Sequence, residues 1–134
     1  MANISVTASK VRPLSGATIR RFDAGGAVSA GDAVYIASDG DVEAANGAAL
    51  TTAWPIGVVV ACPDGDTAAA AGEAVDVCVH GSIEFATGMT PGALVYVGDS
   101  AGMVSTAAGT KSAVLGFVET ATQIFVRPQI ITFA

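Results

Sequence analysis

The chain of 134 residues is long enough for one domain whose hydrophobic core needs no metal or disulfide to support it. Hydrophobic residues make up 51% of the chain and charged residues 13%, against a usual charged share of roughly a quarter, so we expect protein contacts to cover much of the surface. The net charge is −6, and this acidic balance argues against nucleic acid as a partner, because a nucleic-acid binder needs cations clustered along the phosphate path.

The charges are divided unevenly along the chain. Residues 1–22 contain no acid and carry a charge of +4, whereas residues 23–134 carry −10. This asymmetry predicts a basic N-terminal arm, partly extended, on an acidic β-rich body, and it indicates a charged partner. The first residues lack the apolar core of a signal peptide, which predicts synthesis in the cytoplasm and no membrane partner. The four cations of the arm are Lys10, Arg12, Arg20 and Arg21.

Short apolar or β-branched segments bounded by Gly, Asp, Pro or Asn recur along the whole chain. Their regular spacing predicts an all-β fold, a compact single-domain β-barrel or sandwich. The segment 64–73 is predicted as a polar loop, since Gly72 interrupts its alanines and no apolar stripe is present. The predicted strands are Ile4–Thr7, Ala17–Arg21, Ala33–Ala37, Ile56–Ala61, Ala74–Val79, Ser82–Phe85, Ala93–Val97, Ala113–Glu119 and Thr122–Val126.

Two β-hairpins are predicted in the second half of the chain. The sequence GEAVDVCVHGSIEF at 72–85 supplies a linking hairpin, and VLGFVETATQIFVRPQI at 114–130 supplies a second one that closes at Pro128. An internal repeat surrounds the first of them, because residues 31–60 and 92–118 share the order strand, Asp/Gly turn, short strand, loop and glycine-containing strand. Two copies are too few for a solenoid and therefore predict two halves of one closed core.

Residues suited to catalysis or metal binding are few. The single histidine, His80, and the two cysteines, Cys62 and Cys78, form no zinc pattern, and no serine lies in a nucleophile motif. The chain is therefore predicted not to be an enzyme and to need no cofactor. For Cys62 and Cys78, two buried thiols are favoured over a disulfide. A disulfide between them remains the alternative. Trp54, the only tryptophan, is predicted at the core or its rim rather than as a sugar platform.

A family resemblance rests on several of these segments. ATIRRFDAGGAVSAGDAVYI at 17–36, PIGVVV at 55–60, GSIEF at 81–85 and the closing GALVYV, GFVE and FVRP together resemble the capsid decoration, or cement, proteins of tailed bacteriophages. The resemblance runs over most of residues 16–128. It implies a β-barrel or sandwich that forms a homotrimer on the outer capsid surface of the virion and stabilises contacts between subunits of the major capsid protein.

Two other functions stay open beside this one. A tail, baseplate or fibre-associated receptor-binding β-module would also be oligomeric but would bind a cell-surface glycan or protein. A small hydrolase or ligand-binding barrel would need a pocket with convergent polar groups. On charge alone, the capsid-binding candidates are Lys10, Arg12, Arg20 and Arg21.

Overall fold

The structure is a computed structural model that describes residues 3–130, and its regular elements are nearly all β-strands. The helical elements are α1 at Leu50–Ala53 and two single 3-10 turns at Ala8–Lys10 and Pro63–Gly65. Within the described part of the chain, no helix is long and apolar enough to span a membrane. The strands are β1 Arg12–Pro13, β2 Thr18–Asp23, β3 Val28–Ser29, β4 Ala33–Ile36, β5 Val42–Ala44, β6 Gly57–Ala61, β7 Ala68–Ala69, β8 Ala74–Glu84, β9 Leu94–Val97, β10 Val104–Ser105, β11 Ala113–Val118 and β12 Gln123–Ile130.

Ten of these strands form one curled antiparallel sheet that makes half of a barrel. The main path through the sheet has the order β10-β9-β11-β12-β8-β6-β4-β5, while β1 and β2 also pair with β8. The remaining strands, β3 and β7, form a separate two-stranded ribbon. The predicted all-β, single-domain fold is confirmed.

Strand β8 connects the two parts of the sheet, and this differs from the predicted hairpin. Residues 74–84 form a single strand, whose first part pairs with β2 and β6 and whose last part pairs with β1 and β12. Gly81 has a φ of +119°, a conformation that favours glycine, and it lets the strand bend without reversing. A β-carbon there would lie 2.7 Å from Ala17 Cα. The predicted linking hairpin at 72–85 is therefore wrong.

The two copies of the repeat occupy corresponding places in the sheet. The first copy supplies β4, β5 and β6 at one end of the main path, and the second supplies β9, β10 and β11 at the other. In each copy the first strand lies between the other two. The glycines also correspond, because a β-carbon on Gly57 would lie 2.1 Å from Cys78 O and one on Gly116 would lie 1.9 Å from Phe125 O.

The core is divided into two clusters of buried side chains. The larger one contains Phe85, Ile83, Leu115 and Ile124 at its centre, all fully or almost fully buried. The smaller one is built mostly from valines of β4, β5, β6 and β8. Alternation along the strands accounts for this division, since successive side chains of a strand point to opposite faces of its sheet.

Three local predictions need correction. The segment Ile4–Thr7 is not a strand; Ile4 is buried and donates its N–H to Val104 O, and only Asn3 forms an isolated bridge, to Ser105. Pro128 does not close β12 but lies within it, beside a register shift in the β11–β12 pairing, where a missing N–H is tolerated. Trp54 is 61% exposed and lies outside the core.

The described part of the predicted N-terminal arm lies against the body. Val11 is buried in the larger core cluster, and β1 and β2 run antiparallel along β8 with a turn at residues 14–17 between them. The expectation of an extended arm is therefore not confirmed. Residues 64–73 are mostly irregular, as predicted, although they include β7 and part of a 3-10 turn.

Candidate functional site

A row of apolar side chains faces solvent across three neighbouring strands of the sheet. Leu94 on β9 is opposite Phe117 on β11, and Phe117 is opposite Phe125 on β12. The two phenylalanine rings are stacked, with centroids 5.3 Å apart, and His80 meets the Phe125 ring edge-on at 5.0 Å. Leu94 is 45% exposed and Phe117 is 36% exposed. We call Leu94, Phe117 and Phe125 the apolar row.

The strand pattern explains why these side chains point outward. In β11, Ala113, Leu115 and Val118 fill the larger core cluster, so Phe117 lies on the opposite face of the strand. The register shift between Val114 and Gly116 changes the alternation in the middle of the strand. Phe117 therefore points outward from a strand whose other face builds the core, and its pairing with β12 places Phe125 beside it.

Polar side chains on β8 and β12 border the apolar row. Ser82 is opposite Phe125, and its hydroxyl donates a hydrogen bond to Glu119. Further along the same two strands, the Gln123 amide donates to Glu84 Oε1 at 3.2 Å. The arrangement is an apolar strip with a polar rim, which is typical of protein interfaces.

The structure separates the four predicted capsid-binding cations into two pairs. Lys10 and Arg12 line a cleft of about 530 Å³, which we call the N-terminal cleft. Neither forms an ion pair with any residue that the structure describes. The other lining residues are mostly hydroxyl-bearing or small: Ser5, Thr7, Ser9, Glu84, Phe85, Ala86, Thr87 and Thr122.

The second pair of cations lies on β2. Arg21 Nε donates to Asp76 Oδ1 at 2.9 Å, and this hydrogen bond, with the attraction of the two charges, raises the pKa of Arg21. The Arg20 guanidinium lies over the Phe22 ring, 5.4 Å from its centroid. Because side chains alternate along a strand, Arg20 and Arg21 point to opposite faces and do not form one basic patch.

The two cysteines are free and buried. Burial raises the pKa of both thiols, so the reactive thiolate form is disfavoured. We expect dithionitrobenzoate to react slowly with the native protein and to titrate two thiols once guanidinium has unfolded it. Rapid reaction in the native state, or fewer than two thiols after unfolding, would contradict this arrangement.

Asp32 is partly buried beside the turn that precedes β4. Its Oδ2 accepts a hydrogen bond from Ser29 N at 2.9 Å, but burial outweighs this bond and raises the pKa of the carboxyl group. A carboxyl whose pKa is raised by folding costs stability once it ionises, so the cost appears as the pH rises above the ordinary value of 3.8.

We expect Asp32→Asn to be at least as stable as the wild type at pH 7, because the asparagine carbonyl can still accept from Ser29 N. The stability advantage should shrink as the pH falls to about 3, where Asp32 is neutral. Urea unfolding of both proteins at pH 3, 5 and 7 measures this difference. A variant that is equally destabilised at all three pH values would rule out the proposed cost of ionisation.

No group of three or more His, Cys, Asp or Glu side chains that could hold a metal ion is present in residues 3–130. The predictions that the chain has no cofactor and is not an enzyme remain predictions.

Of the surfaces described above, the sequence indicated the cations but missed the apolar row, since an outward phenylalanine in a strand looks the same in the sequence as an inward one. No family model matches this sequence, and no curated protein matches it either.

Proposed function

We propose that this protein is a structural component of a bacteriophage particle, a decoration protein that forms a homotrimer and binds the outer surface of the capsid. The observation that carries the proposal is the apolar row. Exposed, contiguous apolar side chains with a polar rim favour burial against another protein. The resemblance of residues 16–128 to capsid cement proteins, and the low share of charged residues, support the same function.

We assign the apolar row to contacts between copies of the chain. It carries no charge, and its aromatic pair is held rigidly by two paired strands. Burying aromatic side chains in a symmetric contact gives a large gain in association free energy per residue, at a small cost in side-chain entropy. Contacts with the capsid would then be made by other surfaces of the trimer, which repeat around its axis and act together.

Light scattering on the purified protein tests the assembly part of this proposal. A mass of three times the 13.2 kDa of the chain is expected, independent of dilution over the micromolar range. A monomer of 13.2 kDa at all concentrations would contradict it.

A receptor-binding module of the phage tail is the second candidate, and the N-terminal cleft is the observation that favours it. Hydroxyl groups beside Lys10 and Arg12 suit an acidic glycan, since they offer hydrogen bonds together with positive charge. Binding of the purified protein to host cells or to a glycan array, lost in the Arg12→Ala variant, would support this function over capsid decoration.

A further inference from the structure

The apolar row has a counterpart in the first copy of the repeat. Ala33 on β4 is opposite Val58 on β6, and Val58 is opposite Cys78 on β8, which is the same pairing order that the apolar row has across β9, β11 and β12. These three side chains are fully buried in the larger core cluster. Equivalent positions are therefore covered in the first copy and face solvent in the second.

The opposite difference is found at the other end of the same strands. Val97 ends β9 and Ala113 begins β11, and both are fully buried in the larger core cluster. When the glycines of β6 and β11 are aligned, the counterparts of these two residues are Ile36, at the end of β4, and Trp54, shortly before β6. Both counterparts are exposed. We call Ile36 and Trp54 the Trp54 patch.

The buried positions lie where the two copies of the repeat meet in the chain. Ala33 donates its N–H to Gly102 O at 3.3 Å, and a β-carbon on Gly102 would lie 2.8 Å from Asp32 Cγ. Gly47, which follows β5, donates its N–H to Gly98 O at 2.7 Å, directly beyond the end of β9. The two copies therefore make a head-to-tail contact, in which each copy uses a different surface.

A head-to-tail contact within one chain leaves one surface of each copy without a neighbour. On the second copy this surface is the apolar row, and on the first copy it is the Trp54 patch. Six large hydrophobic side chains of residues 3–130 are exposed, and these two surfaces account for four of them. Because repeat units bury their apolar surfaces by packing on one another, the exposure lies where a further repeat would pack.

Charged side chains beside the two surfaces have opposite signs. Arg127 follows Phe125 by two residues on β12, is exposed, and forms no ion pair with any residue that the structure describes. Asp39 is exposed in the turn that follows Ile36. Opposite charges at the rims favour docking of the two surfaces on each other and disfavour contact of either surface with itself.

Symmetry points to the same occupant. In a cyclic trimer every interface joins two different patches of the chain, so the apolar row needs a second surface on the neighbouring copy. We propose that the apolar row of one copy packs against the Trp54 patch of the next copy, so that the contact between chains continues the contact between repeats. This inference rests on the proposed function and specifies the contact within the trimer.

Site-directed cross-linking tests the orientation of this contact. Asp32 lies beside Gly102 in the contact between repeats, and its counterpart in the second copy is Ala93. The counterpart of Gly102 in the first copy is Gly40, which Asp39 precedes. Chains with Ala93→Cys and chains with Asp39→Cys are refolded together and treated with a short bismaleimide. We expect at least tenfold more cross-linked pairs in this mixture than in either variant alone.

Ala71→Cys is the matched control for Asp39→Cys, since Ala71 is also exposed but lies outside both surfaces. Refolded with the Ala93→Cys variant, it should give no more cross-linking than the single variants. The wild type should not react, because its own cysteines are buried.

The other outcomes separate the inference from the proposed function. Cross-linking of Ala93→Cys alone at the level of the mixture would mean that two apolar rows meet, which overturns the inference and leaves the assembly standing. A trimeric mass without cross-linking in the mixture, or with equal cross-linking to Ala71→Cys, would also overturn the inference but not the proposed function. A wild-type protein that is monomeric by light scattering would overturn the assembly part of the proposed function itself.

Discussion

Gly116→Ala is expected to destabilise the protein by about 3 kcal/mol or more. The added methyl group would lie 1.9 Å from Phe125 O, a backbone atom of the neighbouring strand that cannot rotate away. Relieving this contact requires β11 and β12 to separate in the middle of the sheet, which also lengthens their hydrogen bonds. Urea unfolding at a fixed protein concentration measures the loss.

Gly26→Ala is the matched control for this substitution. A β-carbon added at Gly26 would have no heavy atom within 4 Å, and Gly26 does not have a positive φ, so the stability of this variant should be unchanged or raised by up to about 1 kcal/mol. Gly57→Ala should behave like Gly116→Ala, because its methyl group would lie 2.1 Å from Cys78 O. Wild-type stability in Gly116→Ala would show that β11 and β12 are not packed as described.

The second large effect is expected from the apolar row. Replacing both Phe117 and Phe125 with alanine should convert the proposed trimer to a monomer, since truncating a buried aromatic residue at an interface typically costs about 2 kcal/mol or more. Light scattering over a dilution series measures the change in mass. The monomer should stay folded, because both side chains are at least partly exposed in the single chain.

Trp54→Ala tests the neighbouring copy's side of the same contact. Trp54 is 61% exposed and follows α1, and its removal should also lower the mass, because we propose that the apolar row packs against it. If Trp54→Ala dissociates the proposed trimer while the double phenylalanine variant does not, the contact between copies lies at Trp54, and the assignment of the apolar row is wrong.

Local sequence patterns are sufficient to predict much of the fold. Strands β4, β6, β9 and β11 coincide closely with predicted segments, because alternating or continuous apolar residues between turn formers have few other folded solutions. Strand β12 begins near its predicted start but continues to Ile130, beyond the predicted end at Val126. The repeat is also visible in the sequence, and its glycines can be aligned. Why glycine is needed at positions 57 and 116 cannot be read from the sequence. In each case the added β-carbon would collide with a backbone carbonyl of a neighbouring strand, and only the structure shows which carbonyl lies there.

The predictions that fail depend on long-range pairing. A glycine between two apolar runs indicates a turn or a bend equally well, so the sequence pattern predicts a strand end near Gly81, whereas the strand in fact continues through it. Charge alone predicts the basic segment as an arm, but charge does not show that β1 and β2 pair with β8, more than fifty residues away in the sequence.

The candidate surfaces are predicted less completely than the fold. The sequence identifies the four cations, yet only the structure shows that Lys10 and Arg12 line one cleft while Arg20 and Arg21 lie on opposite faces of β2. The apolar row is missed because its members come from three strands, and their common face is set by register and by the shift at Gly116.

The proposed capsid binding is tested most directly by co-sedimentation of the purified protein with empty capsids of the phage that we propose encodes it. We predict saturable binding at symmetric sites, in trimers, with weaker binding at high salt because exposed cations contribute to the contact. Failure to sediment with capsids at any salt concentration, in a preparation that is folded, would contradict the account and favour the receptor-binding function.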